Sequence, residues 1–65
     1  MSNLELKIAD KIKAKIQPNS FINWGDIASK VGNTSDNYKV WGLMADEGLL
    51  VRGYRNRNNP LYRLA

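Results

Sequence analysis

Apolar residues recur at helical spacing through the first quarter of the chain: Leu4, Ile8, Ile12 and Ile16, supported by Ala9. Lys7, Lys11 and Lys15 run down another face, so the spacing predicts an amphipathic helix over residues 3–16. Ser2 or Asn3 is placed to cap its start. Pro18 stops it, because the residue before a proline is pushed out of the helical region. The lysines read as a solvated face, with Asp10 in reach of Lys13 or Lys7 for a pairing worth about 0.2–0.5 kcal/mol.

After the PNS turn, Phe21 and Ile22 form an apolar step too short for more than a bridge-like strand. A second helix follows in NWGDIASKVG, with Asn23 as N-cap and Asp26 in its favourable first turn. Ile27, Ala28 and Val31 share one face, and Gly32 is a left-handed stop. Barely two turns long, this helix must pack on something to persist. The segment NTSDNYKVWGLMADEG repeats the grammar. Thr34 or Ser35 is the N-cap, Asp36 occupies the first turn and Gly48 is the stop. Val40, Trp41 and Met44 fall three or four apart, which leaves Asn37, Tyr38, Lys39, Gly42 and Ala45 or Asp46 for the outer side. Helices two and three are thus separated by a short glycine-bearing turn, the spacing that lets two helices cross steeply.

From Leu49 the period changes from helical to alternating. Leu49, Val51 and Gly53 alternate with Leu50, Arg52 and Tyr54, and the alternation resumes with Leu61 and Arg63 against Tyr62 and Leu64. This predicts a β-hairpin with a polar loop at roughly residues 55–60, with Pro60 at a strand start, where a missing N–H is tolerated. Arg52 and Arg63 are expected on the face opposite Leu49 and Val51.

Composition narrows the chemistry. Sixty-five residues make one domain with a small core. No cysteine and no histidine are present, which removes disulfides, thiolate metal sites and the usual zinc and general-base residues. The serines have no histidine to activate them, and no phosphate-loop signature occurs, so neither an enzyme, a metal site nor a cofactor is expected. The first residues alternate charge with apolar side chains and give no signal peptide or membrane span, from which a cytoplasmic protein is expected. The net charge is +4, and its distribution says more than its size. Residues 1–47 carry six Lys and all six acids, whereas residues 48–65 carry four Arg and no acid. Such asymmetry fits a polyanionic partner, though a basic hairpin also keeps a small protein soluble.

The order helix, short strand, helix, turn, helix, hairpin resembles a winged helix-turn-helix domain, of the kind found in small prokaryotic and phage regulators. The local match is GLMADEGLLVRGYRNRNNPLYRL, similar to that family's wing region, and the resemblance covers essentially the whole chain. It implies an α+β fold of three helices, a short strand and a C-terminal hairpin wing. It also implies binding to double-stranded DNA, with the third helix in the major groove and the wing on the backbone or minor groove. Some members are protein-binding modules instead, so fold alone does not decide function. With no room for extra helices, a monomer or weak dimer is expected.

Under that resemblance the base-reading candidates are Ser35, Asn37, Tyr38 and Lys39, with Gly42 allowing close approach one turn on. Asn pairs bidentately with adenine and Lys reaches guanine, so Asn37 and Lys39 lead. Thr34 or Ser35 caps the helix and can also meet a phosphate. Arg55, Asn56 and Arg57 occupy the hairpin tip, where arginine suits phosphate or a narrow minor groove. Arg52, Arg63 and Lys30 are secondary phosphate candidates, with a solvent-facing role the plainer reading. Trp24 reads either as a partly buried core residue or as an indole N–H donor to phosphate, and Trp41 as core. The leading expectation is a sequence-specific DNA-binding regulator or recombination accessory protein. Its alternative is a protein-binding module that docks on a polymerase, nuclease or nucleoprotein complex. Single-strand or RNA binding through Tyr54, Tyr62 and the arginines is a third option, weakened because stacking platforms need clustered aromatics.

Overall fold

Each helix begins at a side-chain oxygen that accepts a hydrogen bond from the backbone N–H three residues on. Ser2 Oγ accepts from Glu5 at 3.2 Å, Asn23 Oδ1 from Asp26 at 2.8 Å and Thr34 Oγ1 from Asn37 at 3.1 Å. Caps of this kind contribute about 1 kcal/mol each, and they fix where α1 (Asn3–Lys13), α2 (Trp24–Val31) and α3 (Ser35–Asp46) start. In α1 the cap is a full box, because the Glu5 carboxylate accepts from the Ser2 N–H at 2.8 Å. The computed structural model describes residues 1–53 and 58–65.

Helix α1 ends earlier than its apolar period suggests. The Lys15 and Ile16 amides donate to carbonyls three residues back, at 3.0 and 3.1 Å, so a tight turn replaces the last helical turn before Pro18. Ile16 is still buried. Leu4, expected in the core, is instead 62% exposed. It lies at the edge of a surface hollow that Ser2, Glu5, Asp36 and Lys39 line together with Ile8 and Val40. Helices α2 and α3 stop at Gly32 and Gly48, whose φ values of 109° and 79° fall where a Cβ is strained.

Helix α3 is the hub, packed against α1, α2 and the first strand. It contributes Val40, Trp41 and Met44 to the core. Ala9, Ile12 and Ile16 come from the α1 side, Ile27 from α2 and Leu50 from the sheet. Ile12, Ile27, Val40 and Met44 are the largest fully buried side chains, each stabilising the fold by about 1.5–3 kcal/mol through area removed from water. Short α2 persists because Ile27 is clamped in this cluster.

Strands β1 (Leu50–Arg52) and β2 (Tyr62–Leu64) pair antiparallel, with Leu50 opposite Leu64, Val51 opposite Arg63 and Arg52 opposite Tyr62. Beyond the strands, Gly53 N–H donates to Leu61 O at 2.7 Å and Ala65 N–H to Leu49 O at 3.1 Å. Ile22 joins the other edge of β2 by exchanging two hydrogen bonds with Tyr62, at 2.8 and 2.9 Å. The short step at residues 21–22 is therefore bridge-like, and β2 is central. The strand faces differ from the expectation. Directly opposed residues share a face, so Arg63 lies with Val51 and Arg52 lies with Tyr62, on opposite sides of the sheet. In the continuous run Leu49-Leu50-Val51 alternation leaves two choices, and burial of Leu50 selects between them. The result is a small α+β fold. No helix among the described residues is long and apolar enough to cross a membrane.

Candidate functional site

The outward surface of α3 carries Ser35, Asp36, Tyr38, Lys39 and Gly42, all exposed. Tyr38 is 59% exposed even though its ring meets Trp24 edge-on at 5.3 Å between centroids. Gly42 stands mid-helix at negative φ, and a Cβ there would meet nothing within 4 Å. Thr34, rather than Ser35, is the cap, which leaves the Ser35 hydroxyl on the exposed first turn.

Asn37 is corrected by its surroundings. Only 9% exposed, it turns inward, and its Nδ2 donates to Val31 O at 3.2 Å and Gly32 O at 3.0 Å. The carbonyls at a helix C-terminus lack helical partners, and this amide satisfies that of Val31, the last residue of α2, and that of the C-cap Gly32 across the inter-helix turn. The side chain is spent on structure, and the outer surface of α3 begins again at Tyr38.

Lys39 is outward, its side chain 70% exposed, but it is paired: its ammonium lies 3.6 Å from the Glu5 carboxylate of α1. The Glu5 carboxyl is held below the ordinary carboxylate range first by the Ser2 backbone N–H, with the Ser2 hydroxyl and then the Lys39 charge adding to it against partial desolvation. One carboxylate thus closes the α1 capping box and restrains the α3 lysine. Sequence spacing offers no sign of this contact, which joins residues 34 positions apart.

The remaining candidates spread over several surfaces. Lys30 is exposed in the last turn of α2, where a cation suits the helix dipole. Arg52 is exposed at the end of β1. Arg63 is half-buried on the outer sheet face, where its Nη1 donates to Leu64 O at 2.9 Å and its guanidinium lies 6.0 Å from the Phe21 ring centroid. Beside it, a Cβ on Gly53 would come within 3.1 Å of the Phe21 ring, so that aromatic lies directly on the backbone. Arg55, Asn56 and Arg57 lie outside the described residues.

A feature that residue-by-residue reading passed over joins four aromatic rings. Trp24 meets Tyr38, and its ring centroid is 6.1 Å from that of Trp41, which in turn meets Tyr62 edge-on at 5.5 Å. Their remaining surface lines a groove of about 360 Å³, closed on one side by Gly42 and Ala45 of α3 and on the other by residues 58–60. Among the described residues that line it, none is charged. The only local hint was Tyr38 and Trp41 three apart on one helix, since Trp24, Pro60 and Tyr62 arrive through tertiary packing. Comparison of the chain with protein-family models, with curated proteins and with solved structures finds no match in any of the three.

Proposed function

We propose that the chain is a winged helix domain that binds double-stranded DNA, as a small transcription regulator or recombination accessory protein. Helix α3 enters the major groove through Ser35, Tyr38 and Lys39. The arginine-bearing segment 48–65 lies on phosphate or in the minor groove. Gly42 carries the reading. A glycine at an exposed position inside a helix costs about 1 kcal/mol against alanine, and neither its φ nor any neighbouring atom of the described residues requires it. A bare backbone patch on the outer face of α3 is what close approach to another molecule needs. Support also comes from the Ile22–Tyr62 bridge and the β1–β2 pairing, an antiparallel arrangement compatible with a winged helix.

The test is fluorescence anisotropy with mixed-sequence duplex DNA across a salt series, with Arg55→Ala/Arg57→Ala as control. Binding through about four phosphate contacts gives a log-log salt slope near −4. Flat salt dependence, or binding unchanged in the double variant, overturns the reading. The alternative, a protein-docking module, is favoured by the aromatic groove, whose described lining residues carry no charge, and by the acids Asp36 and Asp46 exposed on α3. An apolar interface survives salt that abolishes a phosphate-based one.

A further inference from the structure

We propose that the groove formed by Trp24, Tyr38, Trp41, Tyr62 and Gly42 receives one unstacked nucleobase, so that the chain prefers DNA with an unpaired nucleotide beside the duplex. The inference rests on the DNA-binding reading above and adds the substrate class. In a continuous duplex the face of every base is covered by its neighbours, and only base edges and phosphates are available to a helix. Aromatic ring surface gains little from such a target. It gains much from a base that has left the stack.

Three observations point to that occupant. The rings of Trp24 and Tyr38 are held in mutual contact, which fixes their orientation before any ligand arrives. The groove, about 360 Å³, falls at the lower end of the roughly 300–1,000 Å³ that hold small organic groups. The described residues of its lining are uncharged, while residues 58–60 among them belong to the segment that carries four Arg and no acid. Arg52 is the cross-strand partner of Tyr62 and shares its sheet face. A neutral planar site beside a basic strip matches a ligand with a flat neutral part and an anionic backbone. Gly42 keeps the α3 wall open, since any side chain there projects into free space.

The test compares a blunt duplex with the same duplex bearing a short single-stranded thymidine overhang, by anisotropy and by tryptophan fluorescence. The overhang is expected to tighten binding between about fivefold and a hundredfold, the range that base–aromatic stacking supplies, and to quench tryptophan emission. Tyr38→Ala removes the overhang advantage and Tyr38→Phe keeps it. Gly42→Leu, which fills the groove, also removes it while the circular dichroism spectrum stays that of the wild type. Blunt and overhanging duplexes binding equally would overturn the inference and leave the proposed function standing. Failure of both to bind at low salt would overturn both. Quenching by a proline-rich peptide, with none by the overhanging duplex, would overturn the inference in favour of peptide docking.

Discussion

The side-chain amide of Asn37 donates to the carbonyl oxygen of Gly32 at 3.0 Å, bridging the end of α2 to the first turn of α3. The same nitrogen reaches Val31 O at 3.2 Å, so one buried group ties the two helices together across their turn. Asn37→Ala leaves these carbonyls short of a donor and is expected to cost about 1–3 kcal/mol in urea unfolding. Asn37→Asp costs more, because a carboxylate facing two carbonyls repels both. If Asn37→Ala changed DNA sequence preference and left stability intact, the structural role would be wrong.

Glu5 restrains Lys39, and the two roles of that carboxylate can be separated. Glutamine also completes a capping box, so Glu5→Gln retains the α1 cap while removing the charge opposite Lys39. A solvent-screened pair of this type adds little net stability. With Lys39 released and a negative charge gone, duplex affinity should rise up to about fivefold at low salt and converge with wild type at high salt. Weaker binding by Glu5→Gln would show that the pair positions Lys39 rather than competing for it.

The same carboxylate predicts a pH dependence of stability. Its pKa is lowered in the folded chain from an ordinary value of 4.5, so its contribution is fully present above that value. It is lost as pH falls through the lowered folded value, because the unfolded state then binds the proton first. Thermal melts from neutral to strongly acid pH should show this acid-side loss in the wild type. Glu5→Gln should show less of it.

Gly42→Ala is expected to raise stability by about 1 kcal/mol, roughly 4–8 °C in Tm, because the added methyl meets no other atom within 4 Å and improves helix propensity. A calorimetric scan measures it. Duplex affinity should fall in the same variant if DNA approaches the backbone there. A more stable protein with unchanged binding would remove the main support for the α3 interface.

Met44→Ala, by contrast, empties the centre of the core and should cost about 2–5 kcal/mol, close to the whole stability of a chain this short. Loss of the cooperative urea transition is the expected result.

Much of the local architecture was legible because it depends on neighbours in the chain. Asn23 is a cap, Gly32 and Gly48 are stops, and Phe21-Ile22 forms only a bridge, each from side-chain chemistry within a few residues, whereas Thr34 over Ser35 and Ser2 over Asn3 were decided by the structure. The apolar period located Ile12, Ile27, Val40, Trp41 and Met44 in the core. It failed at Leu4 and at the end of α1, since periodicity reports which face is apolar and not where the opposing surface stops.

The candidate site was legible only in part. The outward positions of Tyr38, Lys39 and Gly42 followed from helical phase, but Asn37 lies at the edge of the apolar arc, where a short polar side chain turns inward once unpaired carbonyls are beside it. Chain order and side-chain chemistry by themselves determined the helices, their glycine stops and the concentration of arginine in the last residues. Tertiary structure decided the strand faces, the Glu5–Lys39 contact and the gathering of Trp24, Tyr38, Trp41 and Tyr62 around one groove. Those depend on which distant surfaces meet when the core closes, a property of three-dimensional packing that spacing along the chain does not encode.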